Sequence, residues 1–152
     1  MEITYRLATE ADLIDIVQML ADDKLGARRE KFHVPLPDSY GQAFKIIAAD
    51  PHQELTVAVL NGEIVGTFQL TFIQYLTYQG GIRAQIEAVR VKSTYRNKGI
   101  GRQFFLYAID RARSKGAHLI QLTTDKERPE ARRFYESLGF SASHEGMKLQ
   151  LK

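Results

Sequence analysis

The chain has 152 residues, 44% hydrophobic and 26% charged, a formal net charge of +3 and no cysteine. Its size and composition predict one globular domain over residues 1–152 and exclude a disordered or membrane composition. The lack of cysteine excludes disulfides, thiolate metal sites and any cysteine-bound acyl intermediate.

The N-terminus, MEITYRLATEAD, lacks the basic and apolar regions of a secretory signal, and no apolar run approaches membrane-spanning length. A cytoplasmic protein without a membrane partner is expected. The 21 basic and 18 acidic residues mostly alternate in sign. Their small basic clusters, among them Arg90 to Lys98, suit a phosphorylated small ligand better than nucleic acid.

In chain order, Ile3 to Leu7 alternates as a short strand, and Thr9 with Asp12 three residues on signals a helix start. Leu13, Ile14, Val17, Leu20 and Ala21 recur at helical spacing. From Asp22 to Ser39 the pattern lapses into charge, Gly26 and a Pro35-Leu36-Pro37 turn. Tyr40, Phe44, Ile46 and Ile47 then mark a second helix that ends before Pro51. Glu54 to Leu60 and Glu63 to Tyr75 are β-rich runs joined by Asn61-Gly62, which suits a two-residue type I′ turn. Gly80-Gly81 turns the chain into a third antiparallel strand, Arg83 to Lys92.

A helix from Ile100 puts Phe104, Phe105, Ala108, Ile109 and Ala112 on one side and stops at Gly116. Leu119 to Thr124 reads as a buried strand, so the helix before it is a crossover and the strand pair is parallel. Such a pair can diverge. Pro129 opens another helix, with Ala131, Phe134, Tyr135 and Leu138 on one face and Gly139 as its stop. Phe140 to Ser143 is a further short strand, and alternation of Met147, Leu149 and Leu151 predicts a last one.

The stretch from Gln85 to Gly101, QIEAVRVKSTYRNKGIG, runs from an apolar strand through a basic loop into a helix. First-turn N–H groups of a helix lack intrahelical partners, so a diphosphate can sit on them, and Gly99 and Gly101 let it approach. Arg96 and Lys98 add mobile charge at the rim. Two rivals are a Rossmann dinucleotide fingerprint, with Asp125 as its ribose acid, and a purely structural turn. The Rossmann pattern lacks its third glycine, because Phe104 stands there.

Arg96-Asn97-Lys98-Gly99-Ile100-Gly101 resembles the R/Q-x-x-G-x-G/A signature of the GNAT superfamily of N-acetyltransferases. Ala131-Arg132-Arg133-Phe134-Tyr135-Glu136-Ser137-Leu138-Gly139-Phe140 resembles that family's A-x-x-F-Y-x-x-x-G-F segment, and the element order agrees over essentially the full length. The resemblance implies a single-domain α/β fold. Its mixed central sheet would have antiparallel N-terminal strands, a parallel splayed pair, and helices on both faces. It also implies acetyl-CoA as co-substrate, held by Val89, Arg90 and Val91 along its pantetheine arm and by Arg96, Asn97, Lys98, Gly99, Ile100, Gly101 and Arg102 at its pyrophosphate. Many members place a cofactor-binding Asn where this chain has Arg128. Relatives often dimerise through sheet edges, so a homodimer is a further expectation.

Acetyl transfer to an amine needs a base, a polarised carbonyl and a proton for the thiolate. A primary amine is only about one part in a thousand neutral at pH 7. Glu87, in an apolar strand where partial desolvation is expected, is the candidate base, and a solvated strand face is the alternative. A backbone N–H near Val89 can serve the oxyanion where strands diverge. Tyr135 matches the tyrosine that protonates CoA sulfur in many relatives, against the plain alternative of a core aromatic. The four histidines have no metal-like spacing, and no metal is expected.

The acceptor, a small-molecule amine, is expected among Arg28, His33, Tyr75 and Glu87. Arg28, Arg29, Lys31 and His33 favour a carboxylate or phosphonate on it, whereas Asp22, Asp23 and Asp38 favour a polyamine or peptide. Two other classes remain. A catalytically silent CoA-binding sensor would ignore loss of Glu87 and Tyr135, and a nucleic-acid-binding module would show salt-steep affinity without acetyl-CoA dependence.

Overall fold

The alternating strands assemble into one mixed sheet, ordered β1 (Thr4–Leu7), β2 (Gln53–Leu60), β3 (Glu63–Gln74), β4 (Ile82–Val91) and β5 (Leu119–Gln121). The first four are antiparallel neighbours. Only β4 and β5 run parallel, across the helix α5 (Ile100–Ser114). The other helical segments are α1 (Leu13–Ala21), α2 (Gly26–Arg29), α3 (Asp38–Ala49), α4 (Thr77–Gly80) and α6 (Pro129–Ser137). These elements come from a computed structural model that describes residues 2–152. The chain divides into two units, one running to Gln121 and the other Leu122–Lys152.

In the first unit, Leu60 pairs with Glu63 around Asn61 and Gly62, whose φ values of 50° and 78° are the two left-handed positions of a type I′ turn. Consecutive residues of β2 (Thr56 to Ala58) and β3 (Val65 to Phe68) are all buried. Successive strand residues point to opposite faces, so both faces of the sheet are covered by helices. On one face Phe104 of α5 lies 6.0 Å from Phe68 and 6.0 Å from Tyr5, and Tyr5 stacks on Tyr107 at 4.1 Å. Gly66 makes this approach possible, because a Cβ there would run into the Phe104 ring.

The start signal at Thr9 forms as a capping box before α1. The buried Asp12 carboxylate accepts the Thr9 N–H at 2.7 Å and two bonds from Arg6, at 2.7 and 3.1 Å. The Arg6 guanidinium holds the Asp12 carboxyl below the usual aspartate range. With the folded-state pKa depressed, the stabilisation is fully present above the unfolded value of about 3.9 and is lost as pH falls through the folded one. Arg6 is 47% exposed, so solvent screening keeps the pair modest. Asp12→Asn is therefore expected to remove roughly 1–2 kcal/mol at pH 7. It should also flatten the loss of stability below about pH 4, measured by denaturant unfolding from pH 7 to 2. An unchanged acid slope in the variant would clear Asp12 of this role.

Four expectations of the fold change. The segment from Asp22 to Ser39 is not wholly irregular, since Asp23 caps a one-turn helix, α2, through the Gly26 N–H at 2.5 Å. The strand expected to reach Thr124 ends at Gln121. In the second unit, α6 opens on Pro129 and ends before Gly139 (φ 98°) as expected, but neither Phe140 to Ser143 nor the segment at Met147, Leu149 and Leu151 forms a strand. Those last three side chains are 95%, 85% and 89% exposed. Alternation decides which face of a strand is apolar, but a strand also needs a ladder, and the described residues of this unit supply no pairing partner.

Candidate active site

The site grows out of an irregularity in β4. Thr67 pairs with Arg90 but Gln69 pairs with Glu87, so Ala88 and Val89 together stand opposite Phe68. This is a β-bulge, and Ala88 takes a left-handed φ of 54° to make it. Before the bulge, Arg83, Gln85 and Glu87 share one face while Ala84 and Ile86 are buried on the other. After it, Arg90 returns to the Glu87 face, where it lies 3.8 Å from the Asp23 carboxylate.

On the far edge of β4 the ladder to β5 stops at Gln85, paired with Gln121. There β5 itself ends. Lys92 donates its N–H to Val65 of β3, so by alternation the backbone groups of Val91, and of Val89 before it, point to the edge beyond the end of β5. Two side chains already use the carbonyls on that edge: Arg96 Nε donates to Val91 at 3.2 Å and Arg90 Nη1 to Val89 at 2.9 Å. Among the described residues no strand pairs with this edge beyond Gln85.

The basic loop follows at once. Asn97 and Gly99 are left-handed, at φ 62° and 76°, and Gly99 is the N-cap of α5. Backbone N–H groups gathered this way at a fifteen-residue helix make a concavity for an anion, and nothing lies within 4 Å of a Cβ placed on Gly99. Ile100 is buried and anchors the first turn, Gly101 is half-buried, and Arg96, Asn97, Lys98 and Arg102 are exposed. The rim charges are less mobile than the sequence suggests. Arg96 also donates to the Asp22 carbonyl at 3.1 Å, and Lys98 lies 5.4 Å over the Tyr95 ring.

Glu87 is exposed, not partly desolvated, and its carboxylate accepts from Gln85 Nε2 at 2.5 Å, while Gln85 accepts from Gln121 at 3.0 Å. Tyr75 lies on the same side of the sheet, under the Arg83 guanidinium at 4.6 Å. Arg28 and His33 belong instead to the segment after α1, where Arg28 Nε donates to the Lys24 carbonyl at 3.4 Å and His33 Nδ1 sits 2.7 Å from the Pro35 carbonyl. A cleft of about 370 Å³ opens beside that segment, lined by Asp15, Gln18, Asp22, Phe32, Lys92 and Ser93. Sequence reasoning missed the bulge and the Arg83 stack, and of this cleft's lining it named Asp22 alone for the acceptor.

In the second unit, Arg128 is the N-cap of α6, its N–H donating to Asp125 at 2.9 Å. Tyr135 is half-buried, with ring contacts to Phe134 at 5.7 Å and Phe140 at 6.2 Å. Asp125 Oδ1 accepts the Glu127 N–H at 2.9 Å and so closes a turn. The Rossmann reading fails on packing. That fingerprint puts a small residue on the helix where it meets the sheet, whereas here the helix presents buried Phe104 and the strand supplies Gly66.

Residues 16–140 match the model of the acetyltransferase (GNAT) family. The chain is 31% identical over 106 residues to the aminoalkylphosphonate N-acetyltransferase of Salmonella typhimurium, covering 70% of this chain and 68% of that enzyme. It is 35% identical over 91 residues to the glucosamine 6-phosphate N-acetyltransferase of Trypanosoma brucei brucei, covering 59% of each. A crystal structure from Bacillus halodurans C-125, described as a transcriptional regulator, shares 57% identity and a TM-score of 0.95, over 99% of this chain and 100% of that one. The edge of β4 left without a strand partner, the left-handed turn at the N-terminus of α5 and the family match agree: the chain belongs to the GNAT family of acetyltransferases and is an acyltransferase.

Proposed function

We propose that the protein transfers acetyl from acetyl-CoA directly to a primary amine on a small molecule, within a ternary complex. The observation that carries this reading is the end of β5 opposite Gln85, which leaves the Val89 and Val91 edge of β4 without a strand partner next to Glu87. The residues suit acetyl-CoA. The left-handed turn at Asn97 and Gly99, with Arg96, Lys98, Ile100, Gly101 and Arg102, would hold its diphosphate, Val89 to Val91 its pantetheine arm, and Arg128 would replace the family's asparagine. When bound, acetyl-CoA supplies a thioester carbon open to attack. Glu87 takes the amine proton, directly or through water, and the Val89 N–H donates to the developing oxyanion. As the N–C bond forms and the C–S bond breaks, Tyr135 gives its phenolic proton to sulfur.

Both named relatives act on amines that carry phosphonate or phosphate, which supports an acceptor of that kind here, with Arg28, His33 and Tyr75 as candidate contacts. The family match runs across both units, which supports one domain over residues 1–152. A cytoplasmic, homodimeric enzyme completes the proposal. A thiol-release screen over amines, aminophosphonates, amino sugars and peptides tests it. Acetyl-CoA and CoA, unlike NADH, should raise Tm, by an amount equivalent to about 2.7 kcal/mol at a hundredfold excess over Kd. Gly101→Glu puts bulk and negative charge at the diphosphate position and should abolish that shift. Normal CoA binding by this variant would reassign the loop.

The relative described as a transcriptional regulator favours a second, regulatory reading. A CoA-responsive sensor would keep the thermal shift and release no thiol with any amine.

A further inference from the structure

Three arginines stand on the strands, and two of them face a carboxylate: Arg6 meets Asp12 at 2.7 Å and Arg90 meets Asp23 at 3.8 Å. Arg83 is different. Among the described residues no carboxylate pairs with it, and its Nε, one of two such arginine atoms, is buried without a hydrogen-bond partner. Two aromatic faces hold it instead, Tyr75 at 4.6 Å and Tyr78 at 5.5 Å from its Cζ. Stacking of this kind fixes the plane of a guanidinium and leaves its in-plane N–H fork unsatisfied, the geometry that receives a carboxylate or phosphate in bidentate fashion. The turn carrying Tyr78 has an uncommon backbone and a packed ring. Tyr78 and Gln79 are left-handed, at φ 52° and 58°, and His118 stacks on Tyr78 at 4.8 Å. Strained residues held by their surroundings concentrate at ligand sites.

We infer that Arg83 receives an oxyanionic group on the acceptor whose amine is presented to Glu87, an inference that rests on the acetyl-transfer reading. Register supports it. Ile73, Thr71 and Gln69 of β3 pair with Arg83, Gln85 and Glu87 in turn, so these three side chains line one track on one face of the sheet. Between the charged ends lies an amide floor, Gln121 donating to Gln85 and Gln85 to Glu87, suited to hydroxyl or amide groups of a spacer. The track also measures length. Four residues at about 3.3 Å each separate the Arg83 and Glu87 Cα atoms by roughly 13 Å. With both side chains standing off the sheet, as strand side chains do, that separation favours an acceptor whose amine and oxyanion are a sugar ring or a dipeptide apart over one with two carbons between them. The acceptor class is thus an ω-oxyanionic amine with a polar spacer, such as a phosphorylated amino sugar.

Steady-state kinetics with glucosamine 6-phosphate, glucosamine and 2-aminoethylphosphonate test both the charge and the spacing, and a γ-glutamyl dipeptide tests carboxylate against phosphate. The wild type should show at least a tenfold lower KM for one of the long anionic acceptors than for glucosamine or the short phosphonate. Arg83→Gln should raise that KM at least tenfold and leave kcat/KM for glucosamine within about twofold, with the acetyl-CoA thermal shift intact to show a folded variant. Arg83→Lys, which keeps the charge and loses the fork, should fall between, and it decides alone if the glutamine variant does not fold. Equal KM for charged and uncharged acceptors, preference for the two-carbon phosphonate, or loss of all acceptors alike in Arg83→Gln would overturn the inference while leaving acetyl transfer standing. No turnover of any amine together with no acetyl-CoA thermal shift would instead be failure of the acetyl-transfer reading, and this inference would fall with it.

Discussion

Glu87→Gln is expected to slow acetylation by roughly a hundredfold or more at pH 7 while CoA binding and fold stability stay near wild type. The substitution is clean because Glu87 is exposed on β4 and its carboxylate takes a single described hydrogen bond, from Gln85, which the amide oxygen of glutamine can still accept. On the proposed mechanism, what disappears is the proton acceptor. A primary alkylamine with a pKa of about 10.4 offers less than about one part in a thousand of its neutral form at pH 7, so without a base the reaction waits on that fraction. Raising the pH supplies it from solution. The ratio of wild-type to variant rates should therefore shrink between pH 7 and 9.5 in single-turnover measurements at saturating acetyl-CoA. A ratio that holds constant over that window would make Glu87 a positioning residue for the acceptor and move base catalysis to water.

The parts of this site that sequence makes legible are those whose residue types announce their own backbone. Asn61-Gly62 reads as a type I′ turn because both positions favour the left-handed region, and both adopt it. Gly99 before an apolar helical repeat reads as the start of α5 for the same reason. The bulge does not announce itself. Ala88 takes φ 54° with a residue type that rarely does so, and only the pairing of β3 with β4 imposes it. Non-local partnerships are equally silent. Arg96 looks like a free cation of the phosphate loop, yet it bonds the Asp22 carbonyl 74 residues away and so ties that loop to the segment following α1. Arg83 looks like a solvated strand residue until the hairpin brings Tyr75 and Tyr78 onto its guanidinium. The C-terminal alternation errs the other way: Met147, Leu149 and Leu151 carry the period of a strand without forming a ladder in their own unit.

Tyr135→Phe is expected to cut the single-turnover rate by about a hundredfold, corresponding to the roughly 2–4 kcal/mol of barrier that removal of one well-placed donor adds. Helical spacing alone gives Tyr135 a packing role, and the ring has one, edge-on to Phe134 and Phe140. The end of α6 is independent of the hydroxyl. It is the Tyr135 backbone carbonyl that accepts the N–H groups of Leu138 and Phe140, at 3.0 and 3.1 Å. Phenylalanine keeps both the ring contacts and that carbonyl, so Tm and CoA affinity should change little. On the proposed mechanism the departing thiolate, in contrast, loses its proton donor, and the deficit should be greatest when chemistry limits turnover and be masked when product release does. Rapid mixing of the pre-formed acetyl-CoA complex with saturating amine separates the two regimes. A wild-type single-turnover rate in the variant would return Tyr135 to packing alone and assign protonation of the thiolate to water or to the proton that Glu87 has taken from the amine.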